Sequence, residues 1–305
     1  MSYHQPAMAQ EALDGLAIRP DGIYVDATFG GGGHTRLILE QLGPEGRILG
    51  FDQDADAQEN VPADGRFAFV PHNFRYLQRF LKLYGYREVD GILADLGVSS
   101  HQFDEGDRGF SYRFSGTLDM RMDQQSDTTA ADIVNRYPAA DLQRIFSQYG
   151  EVRNARTLAQ RICETRELTP IRTTTDLLQV VDPLVRGQRM RYLAQVFQAL
   201  RIEVNQEMTV LEEFLEQTLA VLKPGGRLVV IAYHSVEDRM VKNFLRSGRV
   251  DGKMDKDFYG NIFRPFAVLT KKALGPTEVE IQKNPRARSA RMRIGVRKAA
   301  THGKA

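Results

Sequence analysis

The chain has 305 residues, 42% of them hydrophobic and 26% charged, with a formal net charge of +2. This composition is ordinary for a globular protein, and the length suits one large domain or two moderate ones. The single cysteine, Cys163, excludes an internal disulfide and argues against a structural zinc site. No apolar run approaches the length of a membrane span, and no basic segment followed by an apolar one opens the chain. We therefore expect a cytoplasmic protein with no membrane partner.

Short apolar runs alternate with helical patterns in the first third of the chain. The strand patterns lie at 23–26, 47–52, 67–71 and 90–95. This alternation is typical of βαβ units and predicts a parallel sheet. A long stretch with almost no strand signal follows, before Arg227 to Tyr233 resumes it, which predicts a helical insertion. Leucines and other apolar residues spaced by three and four from Leu193 to Leu222 predict one long amphipathic helix at its end.

The most informative motif is GIYVDATFGGGGHT, from Gly22 to Thr35, where an apolar strand pattern ends in four glycines before a helical pattern. Such a loop lets the backbone approach a nucleotide-like ligand closely and aims a helix N-terminus at it. The dinucleotide fingerprint needs a glycine at its sixth position, where this chain has Thr35 or Arg36. S-adenosylmethionine fits better, and Asp52, after the second strand, can accept its ribose hydroxyls; a turn or cap role is the alternative for Asp52 alone.

The ends of two further strands carry side chains that are candidates for ligand binding or catalysis. Asp95 ends the fourth strand and opens the sequence DLGVSS, so it adds a carboxylate to the predicted ligand crevice, although a structural turn is an alternative. His234 follows the fifth strand in YHSVEDR and is a second candidate for the catalytic step. For His234, a hydrogen-bonded structural role carries the larger weight, and Ser235 makes a good helix start.

The segment Arg108 to Asp123, RGFSYRFSGTLDMRMD, has no regular period and is typical of an ordered lid. Its aromatic and basic side chains could stack on a base and hold phosphates, or the loop could pack on itself. They are Phe110, Tyr112, Phe114, Arg108, Arg113 and Arg121.

A basic run without acidic residues closes the chain from Ile281 to Ala305. Apolar residues alternate with arginines from Arg291 to Arg297, which predicts a strand with one buried face and one basic face. A phosphate-rich partner would explain the charge, and a solvated tail is the alternative.

Seven motifs together resemble the bacterial RsmH (MraW) family of 16S ribosomal RNA cytosine-N4 methyltransferases, over nearly the whole chain. They are GGGGHT, DLGVSS, RGFSYRFSGTLDMRMD, FQALRIEVNQE, LKPGGRL, HSVEDR and NPRARSARMR. The resemblance implies an α/β class I S-adenosylmethionine-dependent methyltransferase fold, Rossmann-like with a mostly parallel sheet and an inserted helical domain. It places the methyltransferase domain at 1–104 and 206–305, and a substrate-recognition insertion at 105–205.

The resemblance also implies which residues contact S-adenosylmethionine, namely Gly32, Gly33, His34, Asp52, Phe74, Asp95 and Gln102. Asp95 and His234 are the candidate catalytic residues, and no metal site is expected. The chain departs from the family pattern at Gly31, where a non-glycine residue is usual, and at His101, where proline is usual.

The implied reaction is methylation of a cytosine N4 amine in the decoding region of 16S rRNA, with the 30S subunit as the partner. A DNA amino-methyltransferase and a non-catalytic RNA-binding assembly factor are the alternatives, and the missing glycine weakens an oxidoreductase. The sequence leaves the oligomeric state open, a homodimer included.

Overall fold

The computed structural model describes residues 6–98, 106–256, 260 and 262–299. The chain divides into two compact units, one made of Met1–Gly97 and Thr209–Ala305 and the other of Val98–Met208. Within the described residues, no helix combines the length and the apolar character needed to cross a membrane.

The first unit is built on a seven-stranded sheet. Its strands are β1 (Ile23–Asp26), β2 (Arg47–Phe51), β3 (Phe67–Val70), β4 (Val89–Asp95), β5 (Leu222–Ala232), β6 (Phe266–Val268) and β7 (Arg291–Arg297). Their order is β3-β2-β1-β4-β5-β7-β6. The first five strands are parallel, and β7 runs antiparallel to both β5 and β6. The predicted mostly parallel sheet is confirmed.

Helices cover both faces of this sheet. They are α1 (Ala9–Leu16), α2 (Gly33–Gln41), α3 (Leu77–Leu83), α9 (Glu207–Val221), α10 (Ser235–Ser247) and α11 (Glu278–Lys283). Neighbouring residues of β5 point to opposite faces, so Val229 packs with α1 and α2 while Leu228 packs with α3, α9 and α10. Burial on both faces explains why the strands read as continuous apolar runs.

The chain order places a topological switch point between β1 and β4. From β1 the sheet grows outward through β2 and β3 on one side and through β4 and β5 on the other. In open sheets of this kind, ligands bind where the strand order reverses, outside the carboxyl ends of the strands. Asp26, Asp52 and Asp95 end or follow β1, β2 and β4 at this edge.

The second unit is helical among its described residues, which confirms the predicted helical insertion. Its helices are α4 (Ala130–Arg136), α5 (Ala139–Gln148), α6 (Ala155–Leu168), α7 (Thr174–Val181) and α8 (Arg189–Val204). Capping boxes of Thr129 with Asp132 and of Thr173 with Asp176 start α4 and α7. Each box satisfies backbone amides that a helix start leaves without partners.

The single long helix predicted from Leu193 to Leu222 is wrong. Helix α8 ends at Val204, and α9 starts at Glu207 after Gln206 takes the left-handed conformation at φ 49°. The Asn205 side chain stabilises the break, because its Nδ2 donates to the Met120 carbonyl at 2.8 Å and its Oδ1 accepts from the Met122 amide at 2.8 Å.

The predicted basic face of the last strand is also corrected. Strand β7 forms where expected, but Arg293 is buried and makes a two-pronged ion pair with Asp238, at 2.6 and 2.9 Å. An arginine inside a strand with an apolar alternation pattern therefore faces a buried carboxylate instead of solvent.

Candidate functional site

The glycine loop joins β1 to α2 in a conformation that glycine alone adopts easily. Gly30 and Gly32 have φ of 49° and 70°, in the left-handed region. The loop carbonyls are held, because Arg36 donates to the Gly31 oxygen at 2.6 Å and Asn60 donates to the Gly30 oxygen at 3.2 Å. Gly32 caps α2 and supplies no side-chain acceptor. The first-turn amides of α2 are thus available to a ligand, together with the positive end of the helix dipole.

Close packing explains which positions of the loop need glycine. A Cβ atom at Gly32 would lie 2.9 Å from the Phe29 ring, and one at Gly33 would lie 3.1 Å from Pro6. A Cβ at Gly31 would meet nothing within 4 Å. A side chain at Gly31 is therefore sterically acceptable, so the departure from the family pattern there leaves the loop conformation intact.

The Asp52 carboxylate ties the glycine loop to the end of β2. Its Oδ2 accepts from the Gly30 amide at 2.7 Å, and its Oδ1 accepts from the Asp54 amide at 2.9 Å. A hydrogen bond of 2.6 Å from Asn73 to Gln53 joins this loop to the one after β3. Burial raises the pKa of Asp52 to about 6 against the lowering effect of the two amides. Each oxygen keeps a lone pair, so the carboxylate can accept two neighbouring hydroxyl groups.

Asp26 also stabilises the glycine loop, through hydrogen bonds to residues on either side of the glycines. It is 1% exposed, accepts from the Thr35 hydroxyl at 2.7 Å and from the Thr28 amide at 3.2 Å. Burial raises the pKa of Asp26. The sequence pattern marks Asp26 only as the end of a strand, whereas in the structure it fixes the first turn of α2.

Asp95 lies at the carboxyl end of β4, with one partner in the loop after β1 and one just after β5. Its amide donates to the Thr28 hydroxyl at 2.7 Å, and its Oδ1 accepts from the Tyr233 hydroxyl at 2.9 Å. The side chain is 21% exposed. Tyr233, which the sequence analysis did not select, therefore fixes one carboxylate oxygen and leaves the other for further contacts.

His34, in the first turn of α2, faces that second oxygen. Its Nε2 is 3.5 Å from Asp95 Oδ2, beyond an ordinary hydrogen bond, and among the described residues neither ring nitrogen has a hydrogen-bond partner. Burial lowers the pKa of His34, but the carboxylates of Asp95, Asp26 and Glu280 outweigh burial and raise it. A buried polar ring without partners is costly, so these nitrogens suit a polar ligand.

Phe74 lies after β3, in a 3-10 turn formed by Phe74–Tyr76. Its ring packs edge-on against Phe214 of α9, with the centroids 5.0 Å apart. The next residue, Arg75, forms a two-pronged ion pair with Glu213 at 2.6 and 2.8 Å. These adjacent contacts fix the turn, so Phe74 can serve as an apolar wall at this edge of the sheet.

His234 is the N-cap of α10 and is buried. Its Nδ1 accepts from the Glu237 amide at 3.4 Å, and its Nε2 lies 3.0 Å from Glu237 Oε1. The Glu237 carboxylate in turn accepts from the Tyr233 amide at 3.0 Å. The histidine thus has a capping role that the sequence analysis assigned to Ser235, which is the first residue of the helix.

In the helical unit, most of the segment at 108–123 packs on the helical core and on itself. Phe110 is buried in the helical core, and Tyr112 packs edge-on against Phe197 with the centroids 5.7 Å apart. Arg108 donates to the carbonyls of Arg121 and Met122 at 2.9 and 3.2 Å.

The remaining side chains of that segment are of two kinds. Arg121 pairs with Asp119 at 2.7 Å, whereas Arg113 and Phe114 are exposed. Gln102 and His101 lie outside the described residues.

A switch-point glycine loop, an acidic residue after β2 and a carboxylate at the end of β4 are the features of a class I methyltransferase. The chain matches the MraW methylase family over residues 1–298 and belongs to it. S-adenosylmethionine is its methyl donor. The loop amides, the partnerless nitrogens of His34 and the free lone pairs of Asp52 fit a ligand with a carboxylate end, an amino end and ribose hydroxyls.

Curated relatives match along nearly the whole chain. A protein of Parabacteroides distasonis is 58% identical over 294 residues, which is 96% of each chain. One of Bacteroides thetaiotaomicron is 54% identical over 299 residues, 98% of each chain, and one of Flavobacterium johnsoniae is 54% identical over 295 residues, 96% of this chain and 97% of the relative. All three are named ribosomal RNA small subunit methyltransferase H.

Proposed function

We propose that this protein methylates the N4 amine of a cytosine in the decoding region of 16S rRNA, within the 30S subunit in the cytoplasm. The names of relatives more than 50% identical over nearly full length support the rRNA substrate. The observation that carries the chemistry is Asp95, whose carboxylate is held on one side and accessible on the other.

The proposed cofactor contacts come from the family resemblance, and the donor and acceptor groups at the switch point support most of them. Asp52 accepts the ribose hydroxyls, and Phe74 packs against the adenosine end. The backbone of Gly32 and Gly33 and the His34 ring bind the amino acid end, where the helix dipole favours the ligand carboxylate. Gln102 is proposed as a further contact from the family resemblance alone.

The chemistry needs an acceptor more than a strong base. The cytosine amine is a poor nucleophile because its lone pair is delocalised into the ring, so orientation carries most of the rate. When bound, S-adenosylmethionine supplies an electrophilic methyl group attached to a positively charged sulfur. Asp95 accepts a hydrogen bond from the amine and aligns it. Once the nitrogen is methylated it is strongly acidic, so a carboxylate suffices to receive the proton.

Two further roles belong to the proposal. The target base leaves its stack to reach Asp95, and the insertion at 105–205 recognises the RNA, with Arg113 and Phe114 as its exposed phosphate and base contacts. We assign His234 a structural role, as the N-cap that stabilises the start of α10 next to Tyr233. Direct participation of His234 in proton transfer is the alternative role. A homodimer is compatible with either role of His234.

Asp95→Asn tests the proposed mechanism because it keeps the size and one acceptor but removes the charge. We expect turnover on 30S subunits to fall about 100-fold, the loss typical for one positioned acid-base group, with the affinity for S-adenosylmethionine within about threefold. Full turnover at unchanged affinity would contradict the acid-base role. Loss of cofactor binding would instead make Asp95 a ligand contact only.

The substrate class is tested by offering the enzyme 30S subunits and duplex DNA in parallel with labelled methyl donor. Methyl transfer to the subunits alone supports the proposal. Transfer to duplex DNA favours a DNA amino-methyltransferase, and calorimetry without any S-adenosylmethionine binding favours an assembly factor.

A further inference from the structure

We propose that an exposed basic strip, made of Lys283, Arg288 and Arg291, binds the phosphates of the RNA strand next to the target nucleotide. This inference rests on the proposed function and adds the surface by which the methyltransferase unit itself holds its substrate.

Strand pairing places the strip at the edge of the sheet where the chemistry takes place. Asp95 of β4 pairs with Ile231 of β5, and Ile231 pairs with Met292 of β7. Since adjacent strands lie about 4.8 Å apart, the Cα atoms of Asp95 and Met292 are roughly 10 Å apart. Arg291 pairs with Ala232, the last residue of β5. Because β7 is antiparallel, its first residue and the segment before it emerge at the carboxyl edge of the parallel strands.

The N-terminal segment anchors α11, which carries Lys283, beside the glycine loop. Glu280 accepts from the Met8 amide at 2.6 Å, and Pro6 of the same segment lies 3.1 Å from where a Gly33 Cβ would be. The negative charge of Glu280 also contributes to raising the pKa of His34 and of Tyr233. The strip therefore begins within electrostatic reach of the site.

The charges of the strip remain available to a partner. Lys283 and Arg288 are exposed, and the Arg291 side chain is 58% exposed. Arg291 lies 3.9 Å from Asp238, but Arg293 already occupies both oxygens of that carboxylate at 2.6 and 2.9 Å. From residue 281 onward the sequence has no acidic residue.

These cations suit a phosphate backbone. Arginine binds phosphate oxygens with two parallel donors, and phosphate contacts fix the register of a nucleic acid on a protein without reading its sequence. A strip at the same edge as Asp95 would hold the strand while the target base turns toward the carboxylate.

The double substitution Arg288→Ala/Arg291→Ala tests this surface in the full chain. The probe is a labelled single-stranded RNA containing cytosine, titrated at several salt concentrations and followed by fluorescence anisotropy. We expect RNA affinity at low salt to fall roughly tenfold and the slope of log affinity against log salt to shrink by about 0.7 for each lost phosphate contact. Calorimetric binding of S-adenosylmethionine should stay unchanged.

A matched control removes two positive charges at the opposite edge of the sheet. Arg87 precedes β4, Lys298 follows β7, and both are exposed. Arg87→Ala/Lys298→Ala should keep the slope of the wild-type protein, and Arg288→Lys/Arg291→Lys should keep most of it. Equal slopes for the two alanine pairs would overturn the proposal, because the strip would then contribute only to net charge.

The outcomes separate the strip from the proposed function. A wild-type protein that methylates 30S subunits, with an unchanged slope in Arg288→Ala/Arg291→Ala, refutes the strip alone. A wild-type protein that transfers no methyl group to RNA refutes the function, and a reduced slope in the variant still supports the strip as an RNA contact.

Discussion

At the scale of single residues, the two strand-end carboxylates have different hydrogen-bond partners. Asp52 accepts two backbone amides in a half-buried loop, and burial raises its pKa to about 6. Asp95 keeps 21% of its side chain exposed and accepts the Tyr233 hydroxyl at 2.9 Å. The first environment suits ligand hydroxyls, and the second suits a reacting amine.

Asp52→Asn should weaken S-adenosylmethionine binding about 10- to 100-fold, because a hydrogen bond to a charged acceptor contributes about 1.5–3 kcal/mol. Isothermal calorimetry measures the change. The matched control is Glu59→Gln, which neutralises an exposed carboxylate in the 3-10 segment Ala55–Asn60 just after β2 and should leave the affinity unchanged. Equal affinities for Asp52→Asn and the wild-type protein would remove Asp52 from the cofactor site.

The raised pKa of Asp52 also predicts a pH dependence. Only the ionised carboxylate accepts from both ribose hydroxyls, so affinity should be complete well above pH 6 and fall about tenfold per unit below the pKa of about 6. Calorimetry between about pH 5 and pH 8 tests this. The fall should disappear in Asp52→Asn; an identical acid limb in that variant would assign the titration to another group.

Tyr233→Phe should lower turnover about tenfold without changing cofactor affinity, because it removes one hydrogen bond to a carboxylate and keeps the ring. Tyr84→Phe, an exposed position, is the control and should keep wild-type turnover. Turnover of Tyr233→Phe equal to that of the wild-type protein would deny Tyr233 a positioning role.

The sequence was sufficient to select Asp52 and Asp95, because a carboxylate after a buried strand is a local pattern. It could not select Tyr233, whose partner Asp95 lies 138 residues away and meets it only through the pairing of β4 with β5. The capping role of His234 depends in the same way on the exact start of α10. Spatial partners of this kind follow from register, which a single sequence does not specify.

At the scale of elements, a buried ion pair links β7 to α10. Arg293 and Asp238 are 7% and 8% exposed and meet through two hydrogen bonds. The alternation of apolar and basic residues in β7 predicted the strand correctly and the environment of Arg293 wrongly. A pattern with period two predicts which residues share a face of the strand. It does not predict whether a buried carboxylate lies opposite the face that carries the arginines.

Arg293→Met should destabilise the protein by about 3–5 kcal/mol, because it leaves the Asp238 carboxylate buried without its partner. Urea unfolding measures the free energy. The double variant Arg293→Met/Asp238→Leu should recover much of the loss, and Lys298→Met, at the exposed end of the same strand segment, should change stability by less than about 0.5 kcal/mol. A small effect of Arg293→Met would mean that Arg291 or water compensates the Asp238 carboxylate when Arg293 is absent.

The break between α8 and α9 shows another limit of periodicity. Apolar spacing continues across Asn205 and Gln206, so the sequence predicts one helix. The side chain of Asn205 instead bonds to the backbone of Met120 and Met122, and Gln206 adopts φ 49°. Tertiary hydrogen bonds to a distant loop therefore override a local helical preference.

At the scale of the whole molecule, a parallel sheet supplies the cofactor edge and a separate helical unit interrupts it in sequence. The alternating strand and helix patterns were sufficient for the sheet and the insertion, and the long family motifs for the methyltransferase class. The reaction itself depends on the substrate, which neither composition nor net charge specifies.

The most direct test of the account is mass spectrometric mapping of modified cytosines in small-subunit RNA from cells that lack this protein. We predict that one decoding-region cytosine loses a methyl group on its N4 amine, and that expression of the wild-type chain, but not of Asp95→Asn, restores it. An unchanged methylation map in cells without the protein would contradict the proposed function.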